Sequence, residues 1–208
     1  TMTIRKFNDW GRVIARPAFV TTCDSDAATA AIVNDCACES SSLPYIWLTG
    51  GSLARSLGTS GTLPETEVHE LPIDLLLVRY RTSDGIGHTS FAVNSVVMRN
   101  RLWRGRIVAI TNGGYIGALE VAPRAHPNDG VFDVVDVADQ MSWRQRIIAR
   151  NRLSTGGHIP HPSIRVRQSQ SDSWLFPRPM DLYLDGDFVG SIAEVNVTVE
   201  SDSLKLVI

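Results

Sequence analysis

Three short acidic turns hold the residues of this chain best placed to do chemistry. Pro127-Asn128-Asp129-Gly130 sets a carboxylate among backbone carbonyls. An all-oxygen donor set of that kind suits a hard cation such as Mg²⁺. A corner turn closed by an Asx hydrogen bond is the alternative reading. Asp24-Ser25-Asp26 stands immediately before an alanine-rich run, where Asp or Ser caps a helix. Asp185-Gly186-Asp187 joins two apolar runs as a tight hairpin turn. Other reactive types carry less. His158 and His161 are interleaved with Pro160 and Pro162, which favours an extended loop over a metal pair. Ser52 follows Gly50 and Gly51 but has Leu53 on its far side, so it is not a nucleophile elbow. Cys36-Ala37-Cys38 lacks the spacer of a zinc knuckle and has no second pair. Cys23 falls at a predicted helix N-terminus, where a thiolate is stabilised; an inert thiol is the expected outcome.

The elements that must position these turns change grammar once along the chain. Arg12 to Thr22 reads as a strand, Ala27 to Val33 as a helix and Pro44 to Leu48 as a buried strand. A glycine turn at 49–52 then leads into a short helix, Leu53 to Leu57, stopped by Gly58. That alternation is α/β. A polar linker, Thr59 to Glu67, follows, and beyond it strands dominate. Val68 to Arg81 and His88 to Arg99 flank one turn; Gly105 to Thr111 and Tyr115 to Val121 flank Asn112-Gly113-Gly114. Val131 to Val137, Ile164 to Gln168, Met180 to Leu184, Phe188 to Ile192, Val195 to Glu200 and Leu204 to Ile208 complete a sandwich or small barrel. One helix interrupts them, Asp139 to Arg152. Met141, Trp143, Ile147 and Ile148 are its expected apolar face, and Arg144, Arg146 and Arg150 its solvated face. A membrane-facing basic patch is the sharper reading of those arginines. Trp103, Trp143 and Trp174 are expected to anchor the core or an interface.

Composition narrows the classes. The 208 residues suffice for one large domain or two small ones, and 43% hydrophobic with 20% charged residues is ordinary for a soluble globular protein. A formal net charge of -2 gives no nucleic-acid footprint. No apolar run approaches a membrane span and no signal peptide is read at the start. Three cysteines, an odd count, do not make a disulfide framework, so a cytoplasmic location is expected.

Six segments, in order, resemble the diacylglycerol kinase / sphingosine kinase family of lipid kinases. Gly50-Gly51-Ser52-Leu53-Ala54-Arg55-Ser56-Leu57-Gly58 is similar to that family's GTGNDLARSLG, and Pro72-Ile73-Asp74 to its PVDLG. The run from Leu102 through Thr111-Asn112-Gly113-Gly114-Tyr115-Ile116-Gly117 resembles its ANGRYFGGG hairpin. Ala122-Pro123 and Pro127-Asn128-Asp129-Gly130-Val131-Phe132-Asp133-Val134 resemble AP…DDGLLDVV. Gly157 to Ile164 looks like GKHLRHPGV, and Leu184-Asp185-Gly186-Asp187-Phe188-Val189-Gly190 like VDGEPVG.

The resemblance implies an α+β fold: a reduced Rossmann-like nucleotide part, about residues 1–60, packed on a C-terminal antiparallel β-sandwich, about 68–208. It implies ATP as phosphoryl donor, Mg²⁺, and a lipid hydroxyl as acceptor. Asp185 would be the catalytic base with Asp187 beside it. Asp24, Asp26, Gly50, Gly51 and Ser52 would lie at the nucleotide, and Asp129 with the carbonyls of His126 and Val131 would hold the metal. A lipid or the inner membrane face, and a second copy of the chain, are the implied partners. The sequence departs from the family where ATP phosphates bind. The glycine loop GGDGT corresponds to Cys23-Asp24-Ser25-Asp26-Ala27, with both leading glycines replaced. The Asn and Asp of GTGND are absent, and the family's first strand and helix are not expected within the short stretch before Cys23. Two expectations follow: a lipid kinase, or a catalytically inactive binding or regulatory member of the family. An NAD-kinase-like nucleotide kinase, which shares the fold, needs the same intact loop.

Overall fold

The computed structural model describes residues 10–59, 62–100, 104–153 and 161–208. Trp103 and His158 lie outside the described residues. The N-terminal part is α/β. Strands β1 (Arg12–Ala15) and β2 (Val20–Cys23) precede helix α1 (Asp26–Glu39), strand β3 (Tyr45–Leu48) and helix α2 (Gly51–Leu57). The single strand expected over 12–22 is two, because Pro17 cannot donate to a ladder and each half finds its own partner. β1 pairs antiparallel with β4 (Glu67–Thr82), and β2 pairs parallel with β3. Ser25 caps α1, its Oγ accepting from the Ala28 N–H at 3.2 Å.

The remainder is antiparallel. β4 is followed by β5 (Gly87–Ala92), β6 (Ser95–Arg99), β7 (Ile107–Thr111), the short hairpin β8 (Tyr115–Ile116) and β9 (Leu119–Glu120), and β10 (Phe132–Val137). Then come α3 (Trp143–Leu153), β11 (Ile164–Ser169), β12 (Ser171–Leu184) and β13 (Asp187–Val207). Hydrogen-bonded order runs β1-β4-β13-β12-β6-β7-β10-β11, with β5 also on β4. β3 joins β13 in parallel through Ile46 and Leu206, so the α/β strands continue the same sheet.

Two apolar cores follow from this. Between the sandwich faces Val78, Val96, Ile110, Phe132, Trp174, Leu182, Ile192 and Val197 are buried together. Under α1 and α2, Val33, Ile46, Leu48, Leu53, Ile73, Leu204 and Leu206 form a second cluster with the buried Cys23. Trp174 is thus a core anchor as expected, whereas Trp143 is 64% exposed. α3 departs from the expectation in part: Met141, just before it, is buried and Arg144 and Arg150 are exposed as expected, but Arg146 and the other apolar residues exchange places. Ala149 is buried, and Arg146 and Leu153 are half-buried, while Trp143, Ile147 and Ile148 face out. Arg146 explains the exchange: its guanidinium donates to the carbonyls of Gly105, Ala138 and Met141, replacing an apolar contact with three backbone acceptors. No helix among the described residues is long and apolar enough to cross a membrane.

Candidate active site

α2 begins at Gly51 with no cap of its own, since Gly50 offers no side chain. Asp26, from the first turn of α1, supplies the cap across the interface. Its carboxylate accepts from the Ser52 N–H at 2.7 Å and the Leu53 N–H at 3.1 Å. The two glycines make the approach possible. A Cβ on Gly50 would lie 2.2 Å from the Asp24 carbonyl oxygen, and one on Gly51, at φ +98°, 2.4 Å from Asp26 Oδ1. Asp24, Asp26, Gly50, Gly51 and Ser52, the residues expected at a nucleotide, are therefore brought together. They meet one another directly. Asp26 is 4% exposed, and burial raises its carboxyl pKa against the two backbone donors. Asp24 is exposed, its carboxylate accepting from the Ser25 hydroxyl.

The Asn112-Gly113-Gly114 hairpin packs onto α2. A Cβ on Gly113 would meet Ser56 Oγ at 2.7 Å and Asn94 Oδ1 at 3.0 Å, and Gly117 N–H donates to Ser52 Oγ. Asn94, fully buried, accepts from Gly113 N–H and donates to the Tyr115 carbonyl. Asn112, also buried, donates to the carbonyls of Asp74 and Val93. Its Oδ1 has no hydrogen-bond partner among the described residues.

Asp185 closes the site from the other side. It sits at φ 49° and Gly186 at φ 98°, the pair of positive values that a type I′ turn requires. Its carboxylate accepts from three backbone N–H groups, Val93 at 2.7 Å, Asn94 at 2.9 Å and Ser95 at 2.7 Å. Those donors are free because the strand expected over 88–99 breaks at Val93-Asn94. Asp185 counts as half-buried over the whole residue, but its carboxylate is enclosed. That enclosure pushes its pKa up to about 7, opposed by the three donors and aided by the charge of Asp26. Asp26 and Asp185 thus feel each other across the two parts of the chain. Asp187 is exposed at the start of β13.

Asp74 organises the predicted metal loop. It lies in β4, 1% exposed, and accepts from Gly130 N–H, Asp202 N–H and the Asn128 amide. Its own N–H donates to the Pro127 carbonyl. Asp129 accepts from the Val131 N–H at 3.2 Å, the Asx turn. Burial, with the charges of Asp133 and Asp74 adding, pushes its pKa up to about 6. His126 packs edge-on to Trp10 and accepts from Asn128 N–H, and burial lowers its pKa. No group of three or more His, Cys, Asp or Glu side chains among the described residues is arranged to hold a metal. A carboxylate that accepts from the Val131 N–H and has two carboxylate neighbours is of the donor type that suits a hard cation. His161 instead accepts from Ser163 N–H in a turn.

Asp74, Asn94, Asn112 and Asn128 are the site residues that a reading for reactive groups passes over. Their signal is a polar residue inside an apolar strand or at a strand end, and it acquires meaning only once the loops meet.

The comparisons agree with this architecture. The family model described as YegS C-terminal NAD kinase beta sandwich-like domain matches residues 85–208, more than half of the chain. A diacylglycerol kinase from Bacillus anthracis str. Sterne is similar with a TM-score of 0.54 at 14% identity, covering 90% of this chain and 74% of that one. Yeast NADH kinase complexed with NADH is similar with a TM-score of 0.52 at 11% identity, covering 90% of this chain and 60% of that one. At such identities the likeness is one of fold. No curated protein matches.

Proposed function

Because the chain belongs to the family of the YegS C-terminal NAD kinase beta sandwich-like domain, we propose that it is a lipid-kinase-like member whose present cleft does not hold ATP, and that it serves as a binding or regulatory module. One observation carries this reading. The carboxylate of Asp26 occupies the N–H groups at the start of α2, so an internal anion stands where a phosphate would be received. The glycines that would let a phosphate approach instead let the Asp24–Asp26 segment approach. Displacing it would uncover buried donors and bring phosphate charge beside Asp26 and Asp185. The test is calorimetry with ATP, with and without Mg²⁺, on folded protein. The expected result is no binding at millimolar ATP. Micromolar binding, about -8 kcal/mol, would overturn it.

A second reading has its own support. Asp185 uses three of its roughly four lone-pair positions on backbone donors, and its pKa of about 7 suits a general base near neutral pH. In that reading the chain transfers the γ-phosphoryl group of ATP to a lipid hydroxyl, with Asp185 accepting the hydroxyl proton. Asp129, with the carbonyls of His126 and Val131, would hold Mg²⁺, which supplies positive charge that orders the loop. ATP consumption dependent on added diacylglycerol, and lost in Asp185→Asn, would establish it.

A further inference from the structure

Three side chains of helix α3 turn toward the sandwich. Arg146, Ala149 and Leu153 form the inward stripe at the spacing of one helix face. Arg146 is fixed to three carbonyls, and Leu153 packs on the cluster of Ala109, Val121 and Val135. Everything else on the helix faces outward. Trp143 is 64% exposed, Ile147 44% and Ile148 52%. Among the described residues no core cluster takes in those large apolar groups. Arg144 and Arg150, exposed, alternate with them.

Charge is as one-sided as hydrophobicity. The eleven residues contain four arginines and no acidic residue, in a chain whose net charge is -2. Acidic groups near α3 are Glu120, on the strand β9 that packs against it, and two on the preceding segment. Asp136 is engaged by Arg106, and Asp139 lies near Arg146 and Arg106. The adjoining edge strand β11 adds the exposed Arg165 and Val166.

We infer that α3 docks the protein on an anionic lipid bilayer, with Trp143, Ile147 and Ile148 entering the headgroup boundary and Arg144 and Arg150 meeting the lipid charge. An outward face that mixes a tryptophan, two isoleucines and arginines is the pattern of an interfacial helix. Charge complementarity selects anionic lipid over a neutral surface or an acid-rich protein, because the apolar residues lie between the arginines. A nucleic acid would use the arginines and leave the isoleucines idle. Docking through α3 stands whether or not the chain turns over a nucleotide.

The test is sedimentation of the full chain with phosphatidylcholine vesicles, with and without phosphatidylglycerol, in the absence of ATP. The protein should pellet only with phosphatidylglycerol. Trp143→Ser/Ile147→Ser/Ile148→Ser should remain in the supernatant, and Arg144→Gln/Arg150→Gln should lose about tenfold or more in affinity. All five side chains are exposed, so both variants should keep the parent's urea midpoint. Should the triple variant fail to fold, quenching by brominated lipid decides, since quenching absent from Trp143→Phe supports docking. A parent that stays in the supernatant, a triple variant that pellets like the parent, or unquenched Trp143 overturns the inference. Binding to single-stranded RNA that needs the arginines and ignores the triple substitution, without vesicle binding, also overturns it.

Discussion

Replacing Asp26 by Ala tests the idea that this residue is a structural cap filling the place of a phosphate. The substitution strips the acceptor from the N–H groups of Ser52 and Leu53, residues that are 9% and 0% exposed. Water cannot readily replace it. Leaving two buried donors unpaired costs about 1–3 kcal/mol each. Against that, the carboxylate is itself buried with a raised pKa, so its removal recovers part of a desolvation cost. Losing an ordinary cap costs about 0.5–2 kcal/mol, and the net expected here is about 2 kcal/mol. In urea, at a slope of roughly 2–3 kcal/mol/M, the midpoint should fall by about 0.7–1 M. The slope itself should not change, because only one contact is lost. Asp26→Asn, which keeps one acceptor and turns an amide toward the other donor, should fall between Ala and parent. A midpoint for Asp26→Ala within about 0.2 M of the parent, or above it, would refute the capping role. The phosphate-displacement argument would fall with it.

The remaining predictions concern the neighbouring groups. Gly51→Ala must hold φ +98° and place its Cβ 2.4 Å from Asp26 Oδ1, so it should cost about 2 kcal/mol or more in urea unfolding. Asp74→Ala frees Gly130 N–H, Asp202 N–H and the Asn128 amide at once. It should be more damaging than any single surface carboxylate change, by about 3 kcal/mol, measured as the loss of urea midpoint. Asp129 binds its proton more tightly in the folded state, up to about pH 6, than when unfolded, near pH 4. Its contribution is therefore full below about pH 4 and lost as pH rises through about 6. After discounting for its partial exposure, stability should fall by about 1–2 kcal/mol across that window. Asp129→Asn should flatten the slope in a pH series of urea midpoints, and Mg²⁺ should raise the parent's midpoint at high pH but not the variant's.

How legible these features were in the sequence depended on whether the cause was local. The strand–helix–strand–helix opening was readable from Ser25, the alanine run and Gly58, because caps and turns act on their immediate neighbours. The Asp185-Gly186 turn was readable for the same reason. β13 was not. It was expected as three strands, yet it runs from Asp187 to Val207, bending where its register shifts between Ile192 and Glu194 and between Glu200 and Leu204. Ser201-Asp202-Ser203 looks like a turn. Asp202 does adopt φ 54°, but as a bulge whose N–H is held by Asp74. The first half of β12 was missed because Pro177 and Pro179 argue against a strand. They fall in the gap between Leu175 and Met180, where the ladder with β13 is interrupted and no N–H is needed. Helix α3 was read with its apolar residues inward, since nothing local announces that Arg146 finds three carbonyls.

The chemistry of the site was legible by residue and not by role, and electrostatics gives the reason. Asp26, Asp74, Asp129, Asp133 and Asp185 all hold their protons more tightly than a free carboxyl, chiefly through burial. None takes part in the ion pairs found among the described residues, which use Glu70, Glu194, Asp136 and Asp172. Buried carboxylates without cations are costly, and backbone donors return only part of that cost. Asp133 lies within β10 and accepts from the Gln168 amide, but the fold sends three of the others to places where the backbone is interrupted. Asp26 goes to a helix start, Asp185 to a strand break, and Asp74 to a loop and a bulge. Such breaks are also where a phosphate or a cation would bind. An acid that satisfies a break keeps an anion out; an acid left with one donor, as Asp129 is, keeps a cation welcome. The same physical rule therefore separates the two halves of the site. The proposed reading accordingly has the α2 entrance closed to ATP from within and the 126–131 loop open to Mg²⁺. Calorimetry with each ligand alone should see the second and not the first.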